Sequence, residues 1–312
     1  MRESKRVIFA AVIAILLIII YIMSDGSEND KNTKPTVALS TFALYDVAKH
    51  ITGDTLNLIS IIPPGVDIHT YEPTPKTMAQ ISDSDLVVYS GSVLEPWIAS
   101  YKFNNRSIGI TDFINIRELE HNEFDTHAHH DEQCAHNTLD PHYWLDVENM
   151  IKVTNILTYE LIGIAPQHKE LFIKNRDSYL LKLKNIDKEY KAKLDTCMLD
   201  TIIVNHNAFT YLANRYNFHV ESLTGLSPET EVTPKDVIRV IDHVKHEEVR
   251  TVFCENFVNG KNMQSLAKDA HVKLDNLHTL GNISSKEFEN HVTYEEIMLE
   301  NLDKISKALV CR

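Results

Sequence analysis

The chain has 312 residues, 43% hydrophobic and 24% charged, a composition of globular domains rather than of a disordered or collagenous chain. Its formal charge is −13; Arg2, Lys5, Arg6 and Glu3 contribute +2 of it, so the 289 residues after position 23 carry −15. That acidic body excludes nucleic acid, whose phosphates need a basic footprint, and four cysteines exclude a disulfide-dense scaffold.

Residues 7–23 (VIFAAVIAILLIIIYIM) are an unbroken apolar run of 17. Arg2, Lys5 and Arg6 precede it and polar SDGSENDKNTK follows it, which places the N-terminus inside and the body outside. The run is short for a membrane span and long for a signal-peptide core, so it reads as a signal anchor or a signal peptide. No small-x-small site closes it and no cysteine offers a lipid anchor. The expected location is extracytoplasmic, tethered to the cytoplasmic membrane, after a linker over 24–35.

From residue 36 the pattern alternates. TVALS (36–40) reads as a strand, FALYDVAKHI (42–51) as a helix, LNLISII (56–62) as a strand closed by Pro63-Pro64-Gly65. PKTMAQIS (75–82) has helical spacing and DLVVYSG (85–91) is a buried strand entering a glycine turn. Such alternation predicts a parallel sheet, whose ligands gather at the carboxyl ends of its strands. Helical spacing dominates 147–195, interrupted between Gly163 and Pro166, and 168–195 can form one helix of about 40 Å. Alternation then resumes through TIIVNH, NAFTYLANRY, FHVESL, a helix from Pro234, VRTVFCE, KNMQSLAKDA, VKLDNL and a last helix near 293–309. The fold class is therefore α/β: a lobe over 36–146, a helical connection over 147–195 and a lobe over 196–312, each lobe a mainly parallel sheet flanked by helices.

Histidine, at 16 copies, is the compositional outlier. His69, His142, His206 and His278 are placed singly just after predicted strands, two in each half of the chain, where they face a cleft between the two sheets' carboxyl edges. Imidazole nitrogen binds Zn²⁺ at about 2.0–2.1 Å, usually with tetrahedral geometry, so four such residues would close a site. The spacing matches no short ligand motif, and each histidine alone also fits an ordinary surface or hydrogen-bonded role. A second group, His121, His127, His129, His130 and His136, lies with Cys134 in the polar stretch HNEFDTHAHHDEQCAH (121–136). It has no apolar periodicity and reads as a weak metal-capturing loop or a solvated insert without function.

The segments HTYEPTPKTMAQISDSDLVVYSG, LDPHYWLD, VNHNAFTYLANRY, GLSPETEVTP and VFCENFVNGKNMQSLAKDA resemble the metal-binding solute receptors of ABC importers, solute-binding protein family 9, and most of all its zinc-uptake branch. The resemblance runs from about residue 36 to 309. It implies two lobes joined by one long rigid helix, with metal held between them by the positions of His69, His142 and His206. It also implies Zn(II) as transported ligand before Mn(II), an ABC permease and its ATPase as partners, and a monomeric receptor. The family usually has an aspartate where this chain has His278, so His278 is a fourth ligand or leaves an open position, with Asp275 and Glu255 as alternative carboxylates. Asp140 and Glu255 are expected behind the ligands, hydrogen-bonded to the outer imidazole nitrogens. In such a compartment disulfides are allowed, and Cys197 with Cys311 is the expected pair, two free thiols being the alternative.

Three functions compete on this reading: a zinc receptor, a surface metal-storage or adhesion protein using the histidine-rich loop, and a zinc hydrolase. Four histidine ligands disfavour the hydrolase, because catalytic zinc needs an open position and a nearby base. The division of the histidines into two groups has a direct test. Deleting 121–136 is expected to leave one tight zinc per chain and remove only weaker sites, because ordering that segment costs entropy. Calorimetric titration of the deletion variant that shows no tight site would refute the division.

Overall fold

The computed structural model describes residues 34–119, 139–257 and 260–312. The apolar run 7–23, the linker to residue 33 and the histidine-rich loop lie outside the described residues.

The first half forms strands β1 (Thr36–Leu39), β2 (Asn57–Ser60), β3 (Leu86–Tyr89) and β4 (Arg106–Gly109), all parallel, in the order β2-β1-β3-β4. Helices α1 (Phe42–Thr52) and α2 (Pro75–Ser82) supply crossovers. The α2 start is set chemically: Pro75 fits the first turn and the Thr74 hydroxyl accepts the Thr77 N–H. Strand β4 was not anticipated. Its four residues, RSIG, include a charge and a glycine, and an edge strand needs only one buried neighbour. A two-residue antiparallel pair, β5 (Arg117–Glu118) with β6 (Leu139–Asp140), brackets the histidine-rich stretch and was also not anticipated.

Helix α3 (Val147–Ile164) starts on the Asp146 side chain, which accepts the Glu148 N–H. It ends before a short 3₁₀ turn at Pro166–His168, and α4 (Lys169–Leu194) follows with 26 residues. That length is about 39 Å at 1.5 Å per residue. One stripe of α4 is buried: Phe172, Tyr179, Leu183, Ile186 and Tyr190. Its two ends are tied to different halves of the chain. Tyr179 donates to Asp46 Oδ2 on α1 at 2.8 Å, and Asn175 donates to the Ile51 carbonyl at 2.9 Å.

The second half repeats the plan with β7 (Thr201–His206), α5 (Thr210–Tyr216), β8 (His219–Thr224), α6 (Pro234–His246), β9 (Thr251–Glu255), α7 (Lys261–Ala270) and β10 (Lys273–Leu277). The parallel sheet runs β10-β9-β7-β8, and every residue of central β7 is buried. Helices α8 (Ser285–Glu289) and α9 (Tyr294–Ala308) close the chain, each with a reciprocal capping box at its start. Tyr190 of α4 donates to the Met298 carbonyl of α9 at 2.7 Å, completing the bridge between halves.

The core is continuous across the two sheets. One buried cluster joins Val37, Leu39 and Val88 of the first sheet to Ile202, Val204 and Phe253 of the second, through Trp144, Leu157, Tyr179 and Tyr294. Separate clusters fill the outer faces, one under α6 and α7 and one around α2. Opening the lobes widely would expose the shared cluster at roughly 25 cal/mol per Å², so only a small adjustment is cheap.

Cys197, just after α4, and Cys311, just after α9, form a disulfide across a sequence separation of 114. Closing so long a loop stabilises the folded state by at most about 4–5 kcal/mol in the chain-entropy model. Replacing Cys311→Ser is expected to lower the free energy of urea unfolding by about 2–4 kcal/mol. A non-reduced peptide map in which both cysteines are alkylated without reductant would contradict the bridge.

Candidate metal site

His69, His142 and His206 come together at the carboxyl edges of the two sheets, each offering one ring nitrogen, all within 4.8 Å of one another. They come from three separate stretches of chain, and each is fixed by its own local chemistry.

His69 follows the turn after β2. Gly65 takes φ +85°, a backbone conformation other residues avoid, and its N–H donates to the Ile283 carbonyl at 2.8 Å. Asn282 donates to the carbonyls of Pro63 at 2.7 Å and Val66 at 2.8 Å, so the second half of the chain pins this loop. Asp67 then accepts the His69 N–H at 2.7 Å. His142 follows β6. Its backbone N–H and its ring Nδ1 both bond Asp140 Oδ1, at 2.9 and 2.8 Å, and both residues are fully buried. His206 is the last residue of β7. Its N–H donates to Glu255 Oε1 at 2.9 Å, and its Nδ1 lies against Glu255 Oε2. Glu255 is the last residue of neighbouring β9, which explains how it reaches.

The two carboxylates take the Nδ1 side of their histidines, so Nε2 is the atom left facing inward. His142 Nε2 lies 3.3 Å from His69 Nε2 and 3.4 Å from His206 Nε2. Those separations are long for N–H donation between rings. They equal the edge of a tetrahedron whose ligands lie about 2.0–2.1 Å from its centre, which is about 3.3–3.4 Å. Inward lone pairs, outer nitrogens held by carboxylates and tetrahedral edges together fit a zinc-type donor set. Burial pushes the His69 imidazole down to about 2, and the adjacent His142 and His206 rings push the same way. His69 thus resists protons and presents a neutral nitrogen to the group.

A cavity of about 20 Å³ opens beside His69 and His206, lined also by Asp67, Glu255, Phe257 and Thr279. That volume is room for about one water. His278 is not part of the group, which corrects the expectation of four converging histidines. Asn301 of α9 brackets its backbone, accepting its N–H at 3.0 Å and donating to its carbonyl at 2.7 Å. Its Nδ1 accepts the Leu280 N–H at 2.9 Å and its Nε2 lies 3.8 Å from Glu287 Oε1. The His278 ring and the Ser284 hydroxyl and N–H hold the Glu287 carboxyl down to about 2. The neighbouring Thr279, not His278, lines the cavity, and Trp144 Nε1 grips its carbonyl at 2.7 Å. Asp275, the alternative carboxylate, is committed elsewhere, to Lys273 at 2.6 Å. His121, His127, His129, His130 and His136 lie outside the described residues.

The family model described as "Zinc-uptake complex component A periplasmic" matches residues 37–308. The chain belongs to this family. The "High-affinity zinc uptake system protein ZnuA" of Bacillus subtilis (strain 168) is 31% identical over 296 residues, covering 92% of this chain and 91% of that protein. The "Iron ABC transporter substrate-binding lipoprotein MtsA" of Streptococcus pyogenes serotype M1 is 28% identical over 321 residues and covered over 99% of both. The crystal structure of the Zn(II)-bound ZnuA-like domain of Streptococcus pneumoniae AdcA aligns with a TM-score of 0.73 and 26% identity, covering 88% of this chain and 99% of that one. Members of the family are solute receptors of ABC transporters, and this chain is one of them rather than an enzyme.

Thr210 and Tyr211, which contact Asp140 from the second sheet's side, were missed in the sequence. Their partner lies about 70 positions away, and no local pattern marks such a contact.

The depressed His69 has a consequence for stability. In the unfolded chain its imidazole titrates near about 6.5, and in the folded metal-free protein near about 2. Between those values the unfolded state binds more protons, so stability falls as pH drops below about 6.5. His69→Gln is expected to flatten that fall, read as urea midpoints of chelator-treated protein between pH 7.5 and 5. An unchanged slope would place the acid sensitivity elsewhere.

Proposed function

We propose that this protein is an extracytoplasmic receptor that captures Zn(II) between its two lobes on His69, His142 and His206 and delivers it to an ABC permease powered by its ATPase. The observation that carries the reading is the convergence of three Nε2 atoms at 3.3 and 3.4 Å with Asp140 and Glu255 behind two of them. An all-imidazole set favours zinc, whereas Mn(II) is favoured by carboxylate oxygen. The water-sized cavity beside His69 and His206 supplies the fourth position, and His278 stays out of the coordination sphere.

In this reading 36–146 and 196–312 are the two lobes and 147–195 their connection. The N-terminal run holds a monomeric receptor near the membrane, where the histidine-rich loop 121–136 gathers metal for the tight site. Capture needs no covalent chemistry. The metal replaces repulsion among three lone pairs by attraction, and the buried carboxylates stabilise the imidazoles as they give up charge to it. The seam between lobes permits only a slight closure, and engagement by the permease reverses it.

Chelator competition tests the ligand set. One tight Zn(II) per chain is expected, weakened at least a hundredfold, about 2.7 kcal/mol, by His142→Ala. His278→Ala is expected to stay within about threefold of the parent. A His278→Ala variant weakened as much as His142→Ala would restore that residue as a ligand.

A further inference from the structure

Helix α5 starts four residues after His206 and runs along the boundary between the lobes. Its side chains reach back across that boundary at three points. The Thr210 hydroxyl donates to Asp140 Oδ2. The Tyr211 hydroxyl donates to the Asp140 carbonyl at 3.1 Å and accepts the Arg117 N–H at 2.8 Å, tying both short strands that lead to His142. One turn later, Arg215 contacts Asp146 at 3.2 Å and Glu148 at 3.0 Å, at the start of α3, and Asp187 of α4 at 2.8 Å.

Asp140 is the carboxylate that fixes His142. Its Oδ1 serves the backbone and the ring of that residue, while Oδ2 is taken by a hydroxyl from the opposite lobe. A carboxylate held through one oxygen can turn about its terminal torsion, which is broad. Holding the second oxygen with a charge-assisted hydrogen bond stops that rotation and keeps the His142 Nδ1–H pointed outward and Nε2 inward. Because Thr210 rides on the segment that begins at His206, any shift of one ligand relative to its lobe is passed to the other.

We propose that Thr210 is a positioning residue for metal capture, orienting the His142 imidazole through the Asp140 carboxylate and so making affinity depend on how the two lobes meet. The inference rests on His142 being a ligand. It adds to that reading a residue outside the coordination sphere and on the other side of the cleft, and it gives the metal a means of sensing lobe position.

The test uses the full chain with four substitutions: Thr210→Val, Thr210→Ala, Thr210→Ser and His142→Ala. Zinc affinity is read by chelator competition and zinc release by stopped flow. The Nδ1–H of His142 is followed by ¹⁵N-edited NMR in metal-free protein. Thr210→Val and Thr210→Ala should weaken zinc about tenfold, chiefly through faster release, and broaden the Nδ1–H signal. Thr210→Ser keeps the hydroxyl and should bind within twofold of the parent with a sharp signal. The alanine variant keeps a hydroxyl-free protein available if valine misfits. Affinity within twofold of the parent in both hydroxyl-free variants would overturn the proposal. So would a serine variant as weak as alanine, which would mark a packing role. Tight zinc retained by His142→Ala would instead overturn the ligand assignment itself, an outcome separate from the other two.

Discussion

Three imidazole nitrogens crowd together, His142 Nε2 lying 3.3 and 3.4 Å from the other two; as acceptors they repel one another, and the rest of this structure supplies what keeps them there. Bulk water does not relieve the crowding, because His142 and His206 are buried and the cavity beside His206 has room for only about one water. Protons cannot relieve it either, because burial and like neighbours keep His69 neutral far below its ordinary range. The arrangement is maintained from behind, by Asp140 and Glu255 on the outer nitrogens and by backbone hydrogen bonds that fix where each ring begins. A site strained in this way gains most from a dication that takes all three lone pairs at once.

The donor set and the seam between lobes solve different parts of the same problem. Donor chemistry selects the ion, since neutral nitrogen suits zinc better than it suits harder ions. The seam controls geometry. His69 belongs to a loop pinned by Asn282 and Ile283 from the other half of the chain, and His142 is oriented by a carboxylate that Thr210 grips from across the boundary. Two of the three rings are therefore aimed by the opposite lobe, which makes the site sensitive to small displacements without needing a wide hinge.

Helix α4 explains why the displacements are small. It is anchored to α1 by Tyr179 and to α9 by Tyr190, both buried, and its inner stripe belongs to the cluster shared by both sheets. The matched relatives extend over 92% and 99% of this chain, so the receptor assignment covers the whole body and not one segment.

The sequence by itself determined the strand and helix succession, the long helix and the placement of His206 at a strand end, because these rest on local apolar periodicity and on where a strand stops. It also offered Asp140 and Glu255 as partners of the outer imidazole nitrogens, because a neutral histidine set calls for carboxylates behind it, and both lie against a histidine Nδ1. It was silent on β4 and on the β5–β6 pair, which are too short to carry a period. His278 shows the limit most plainly. It follows a strand as His206 does, yet Asn301 on a helix more than 20 residues later fixes its backbone, its Nδ1 takes the Leu280 N–H and its Nε2 faces Glu287. Which histidines converge, and which threonine steadies them, was decided only by the tertiary structure, because hydrogen bonds between residues distant in sequence set ring directions that local spacing does not encode.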